Sequence, residues 1–99
     1  MYIHLYIRYE WDHSKNRANI RKHGIDFADI PPVFDRPMLI EPDEREQYGE
    51  DRWIGLGMFP NGIEVVVVFA ESTKESTRII SARRATQKER KRYHEEIEY

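Results

Sequence analysis

The chain has 99 residues, of which 39% are apolar and 34% charged, with a formal net charge of −2 and no cysteine. That length predicts one domain spanning residues 1–99, burying about two thirds of its unfolded surface. Disulfides and thiolate metal sites are excluded, and nothing reads as a signal peptide or membrane span, so a cytoplasmic protein is expected.

In chain order, Ile3, Leu5, Ile7, Tyr9 and Trp11 alternate with polar or amphipathic neighbours, the period-two pattern of a strand with one buried face. Asp12 or Ser14 can cap a helix through Lys15–His23 that stops at Gly24. Only Ala18 and Ile20 are apolar in it, so most of its circumference faces solvent or a ligand. Asp26 can cap a second helix from Phe27, which Pro31 and Pro32 must kink or restart because they lack amide donors. Met38-Leu39-Ile40 suggests a short strand, and the acidic stretch from Glu41 to Asp51 a mobile loop. Arg52–Met58 and Ile63–Ala70 read as a hairpin closed by Pro60-Asn61-Gly62. The second of these strands is apolar on both faces and belongs mid-sheet. A polar turn from Glu71 to Ser76 leads to a strand over Thr77–Ala82. Thr86 and Glu89 have capping-box spacing, which predicts a last helix from Gln87 to about Ile97. The order predicts an α+β fold: an antiparallel sheet meander packed with two N-terminal helices and one C-terminal helix.

Charge is segregated along this frame. Residues 1–24 hold five Lys/Arg against two acids and residues 77–92 seven against one, whereas residues 25–76 hold twelve acids against four bases. Such a layout suits a protein that offers a basic face to a polyanion and an acidic face to a basic partner. Arg83 and Arg84 precede the start of the last helix, where free amides and the helix dipole also favour an anion.

The histidines at 4, 13, 23 and 94 show no paired-ligand spacing, and there is no glycine-rich phosphate loop, dinucleotide fingerprint or nucleophile elbow. No metal and no cofactor is expected. Cutting RNA without a metal needs a base for the 2′-hydroxyl, an acid for the leaving oxygen and fixed positive charge around the pentavalent transition state. His23 titrates in the right range, and Lys22 beside it can neutralise phosphate. His23 equally fits a structural role against the last carbonyls of its helix. Arg83 and Arg84, as successive strand residues, point to opposite faces, so only one of them can share a face with a given partner. Arg45 and Arg52 are flanked by Glu44, Glu46, Glu50 and Asp51, and internal salt bridges compete with a phosphate role there. Lys88, Arg90, Lys91 and Arg92 decorate the last helix and can contact phosphate nonspecifically. Trp53 and Tyr93 can stack on bases or pack in the core.

Tyr9-Glu10-Trp11-Asp12, Lys15-Asn16, Lys22-His23-Gly24, Phe27, Val33-Phe34-Asp35, Pro37, Asp43-Glu44-Arg45, Arg52, Gly57 and Arg78-Ile79-Ile80-Ser81-Ala82-Arg83, in this order, resemble the BrnT toxin family. The resemblance covers nearly the whole chain, with Pro31-Pro32 a departure inside an expected helix. It implies a RelE-like ribonuclease fold, a type II toxin that arrests translation by cutting RNA, and a BrnA-type antitoxin with a ribbon-helix-helix domain, operator DNA being met only through the complex. Carried onto this sequence, the catalytic set is Lys22, His23, Arg52 and Arg83. His23 moves the proton, Lys22 and Arg83 stabilise the phosphorane, and Arg52 positions the scissile phosphate. Arg45, Glu44, Arg84 and Lys88 are the substrate-binding candidates. The competing readings are a noncatalytic partner-binding module acting in transcriptional autoregulation, and simple RNA binding.

Overall fold

The computed structural model describes residues 7–97. Along the chain run β1 (Arg8–Glu10), α1 (His13–His23), two 3-10 turns (Phe27–Asp29 and Pro31–Asp35), β2 (Leu39–Pro42), β3 (Trp53–Met58), β4 (Glu64–Thr73), β5 (Ser76–Arg84) and α2 (Gln87–Ile97). The strands form one sheet in the order β1-β5-β4-β3-β2. The doubly apolar β4 occupies the centre, as its sequence requires.

Three expectations are corrected. The sheet is mixed: β2 to β5 form the antiparallel meander, but β1 lies parallel to β5 with Tyr9 opposite Thr77. A parallel neighbour needs a long crossover, and residues 11–75 supply it. The second N-terminal α-helix is replaced by the two 3-10 turns, because Pro31 and Pro32 break the ladder that would continue from Asp26. Asp26 still caps, accepting from the Ala28 amide at 2.9 Å. The first strand is short, and its Ile7 flank is exposed; the part of that prediction falling on residues 1–6 lies outside the described residues.

Two cores flank the sheet. On the α1 side, Ile25, Phe27, Ile30 and Val33 pack on Val65, Val67, Phe69, Ile79 and Ala82. β3 admits this layer through glycine: a Cβ on Gly57 would lie 2.7 Å from Val33 Cγ1. On the other face, Tyr93 of α2 packs on Leu56 and Val66, and its hydroxyl donates to the Pro37 carbonyl at 2.9 Å.

α1 attaches by polar contacts, as its composition demands. Its one buried residue is Asn19. The Asn19 amide donates to the Ile25 and Ala82 carbonyls, both at 2.9 Å, and its oxygen accepts from the Ala82 amide at 3.1 Å. Asn16 receives the Phe27 amide at 2.9 Å and donates to Asp26 at 3.0 Å. Asp12 caps the start through the Lys15 amide, and Gly24 ends the helix at φ 71°.

Candidate active site

The end of β5 sends its two arginines to opposite faces. Arg84 stands opposite Val65, in the α1-side core, whereas Arg83 stands opposite Val66, in the α2-side core. The Arg83 guanidinium is gripped by Glu89 in a bidentate pair of 2.8 and 2.9 Å. The same carboxylate accepts the Thr86 amide at 2.8 Å while the Thr86 hydroxyl accepts the Glu89 amide at 3.2 Å. One capping box therefore starts α2 and fixes an arginine of the neighbouring strand.

The Arg83 hydrogen bonds, with the Thr86 amide behind them, hold the Glu89 carboxyl down to about 2. A depressed carboxyl contributes stability that is complete above its unfolded value and lost as pH falls through the folded one. The α2 junction is therefore expected to loosen between pH 4.5 and about 2. Acid titration of helical circular dichroism checks this, with Glu89→Gln expected to flatten the transition.

Loop 43–52 crosses the same face. Arg52 shares it with Ile54 and Leu56 by strand alternation, and Arg78 shares it as the partner of Ala70. One oxygen of Glu50 accepts from Arg52 Nε at 3.1 Å and also from Arg78 Nη2. Glu50 thus reaches across β4 and ties β3 to β5. Arg52 also lies over the Tyr48 ring, 4.1 Å from its centroid. Asp43, with a nearly buried side chain, takes both Arg45 donors at 2.7 and 2.8 Å, and this pairing holds its carboxyl near a pKa of about 2. The Glu89 hydrogen bonds raise the Arg83 pKa, and the exposed Arg45 head nearby opposes that rise. Loop 43–52 carries the Asp43–Arg45 and Tyr48–Arg52 contacts within itself, touches β5 through Glu50 and Arg78, and frames an open concavity of about 1060 Å³.

On the far side of the sheet His23, Gly24, Ile25, Asp29, Phe59, Asn61, Ile63 and Arg84 line a separate cleft of about 490 Å³. Neither the His23 ring nor the Arg84 guanidinium has a hydrogen bond or ion pair among the described residues.

A family model described as "Ribonuclease toxin, BrnT, of type II toxin-antitoxin system" matches residues 11–89. The chain belongs to the BrnT toxin family. The crystal structure of the Brucella abortus ribonuclease toxin BrnT is similar, with a TM-score of 0.66 and 30% identity over 82% of this chain and 99% of that one. No protein of curated function matches at the sequence level. No helix among the described residues is long and apolar enough to cross a membrane.

In this BrnT-family chain the expected catalytic set is divided by the sheet. Arg52 and Arg83 share the α2 side, together with Arg45, whereas His23 lies in the cleft on the α1 side with Arg84. The anchor is Asn19, which fixes α1 to Ala82 and so commits the end of the helix, with His23, to that face. Lys22 is exposed in the last turn of α1, Glu44 is exposed on the loop, and Lys88 is exposed beside Glu89 in the first turn of α2. Sequence reasoning missed Arg78 and did not couple Glu50 to it. Strict alternation puts residues 78 and 83 on opposite faces, but the register slips at Val68/Phe69, where Ile80 is an extra residue, and this returns Arg78 to the face of Arg83.

Proposed function

We propose that this BrnT-family toxin is a metal-independent endoribonuclease with a RelE-like fold, whose active site is the α2-side face of the sheet. The observation that carries the reading is that Arg52, Arg78 and Arg83 share that face, Arg52 and Arg78 meeting at Glu50 and Arg83 standing four β4 residues further along the sheet, with Arg45 of loop 43–52 near Arg83. Attack of a 2′-hydroxyl on its neighbouring phosphate gives up the hydroxyl proton to solvent water, breaks the bond to the 5′-oxygen, which takes a proton from water as it leaves, and builds negative charge on the equatorial oxygens. Guanidiniums fixed in advance stabilise that charge without reorganisation. Arg83 is the best fixed, through Glu89, and stabilises the phosphorane. Arg52 positions the scissile phosphate, with Arg45 and Arg78 beside it. Lys88 adds a backbone contact next to the Arg83–Glu89 pair.

Lys22, His23 and Arg84 then bind flanking RNA instead of performing the proton transfer first assigned to His23. A ring on the far side of the sheet cannot reach a phosphate held by Arg83. The toxin acts in the cytoplasm and stops translation. A BrnA-type ribbon-helix-helix antitoxin covers the arginine face, and operator DNA is met only through that complex. Incubation of the purified protein with RNA in EDTA is expected to give fragments ending in 2′,3′-cyclic or 3′-phosphate. RNA left intact at high protein concentration would refute the proposal.

A further inference from the structure

We propose that Glu50 is a built-in stand-in for a substrate phosphate, keeping the Arg52 and Arg78 guanidiniums turned toward one shared anion position and giving way when RNA arrives. The proposal rests on the arginine face being the RNA site. Its basis is one carboxylate oxygen shared between the guanidiniums of Arg52, which directly precedes β3, and Arg78 of β5, two strands that are not neighbours. Nothing in the strand ladder requires this bridge, since β4 already connects β3 to β5. The Glu50 side chain is one third exposed and sits on a stretch without helix or strand, so it can leave without dismantling the sheet. Arg52 and Arg78 belong to or adjoin the sheet and stay where they are.

A phosphodiester has the same charge as the carboxylate and offers two non-bridging oxygens to the same donors. Exchange of one for the other leaves the guanidiniums oriented and their charge compensated. While Glu50 is in place, the clamp is closed to stray anions. An RNA that also engages Arg45 and Arg83 gains enough additional contact to displace it. Glu50 is thus a positioning residue whose charge competes with substrate, and Arg78 is a phosphate-binding residue.

The test is binding of an RNA oligomer made uncleavable by 2′-deoxy substitution, together with KM and kcat for the cleavable form. Glu50→Gln keeps the size and a hydrogen-bond acceptor but removes the competing charge. It is expected to tighten binding roughly fivefold at low salt, with KM falling more than kcat changes. The double variant Glu50→Gln/Arg78→Ala is expected to lose that gain. Melting temperatures identify any variant that has lost its fold, and Glu50→Ala serves as a second probe of the same competition. If Arg83→Ala weakens binding while neither Glu50 variant tightens it, the arginine face stands and the stand-in role is overturned. If Arg83→Ala and both Glu50 variants all leave binding unchanged, the face itself is not the RNA site. A fall in kcat at constant KM in Glu50→Gln would assign the carboxylate to proton transfer and also overturn the proposal.

Discussion

Arg83→Ala and Arg52→Ala are each expected to slow RNA cleavage by about 10²- to 10³-fold, the loss typical when one fixed donor to a developing oxyanion is removed. Arg83 has the stronger claim to the larger effect. One edge of its guanidinium is held by two hydrogen bonds to Glu89, and that carboxylate is itself fixed by the Thr86 amide, so the donor direction is set before substrate arrives. Lysine at either position should not restore the rate, because a single ammonium cannot reproduce the planar fork. His23→Ala and Lys22→Ala should cost no more than about tenfold, the scale of one lost phosphate contact. Single-turnover rates on one RNA, with circular dichroism as a folding control, decide between them. A dead His23→Ala beside an active Arg83→Ala would move the active site to the cleft of His23 and Arg84.

The largest stability effect is expected at Asn19. Asn19→Ala removes three buried hydrogen bonds in one step and leaves the Ala82 amide and the Ile25 and Ala82 carbonyls without that partner. Stranding buried backbone groups makes the loss about 2–4 kcal/mol, larger than an exposed helix would otherwise suggest. For a chain of this size that is a fall on the order of 10–20 °C in melting temperature. No apolar contact compensates, because Asn19 is the only buried residue of α1 and Ile20 faces solvent. Asn19→Asp should be similarly damaging, since the Nδ2 donor is replaced by a second acceptor facing two carbonyls. Urea and thermal unfolding followed by tryptophan fluorescence measure both. A melting temperature within about 2 °C of the parent would show that α1 is held by something other than this residue.

Where local chemistry decides an element, the sequence was readable. Gly24 ends α1, Thr86 with Glu89 begins α2, Gly62 turns the β3–β4 hairpin at φ 91°, and the continuous valines put β4 in the middle of the sheet. What escaped reading depends on contacts between distant residues. The parallel pairing of Tyr9 with Thr77 has no local signature. A buried asparagine on a polar helix looks the same in sequence as an exposed one. The extra residue Ile80 changes which arginines share a face, and a period-two reading cannot detect it. The same holds for the site: Arg52, Arg83 and Arg45 were identifiable as phosphate-binding types, but the face of each depended on β5 and on loop 43–52. Charge counts likewise marked residues 25–76 as acidic without showing that Glu50 lies on two of the arginines.

The most direct test of the arginine face is a nuclear magnetic resonance titration of the 15N-labelled toxin with uncleavable RNA in EDTA, read at the arginine Nε–Hε signals and the histidine rings. The largest shifts are expected at Arg45, Arg52, Arg78 and Arg83. Shifts concentrated at His23 and Arg84, with those four unmoved, would contradict it.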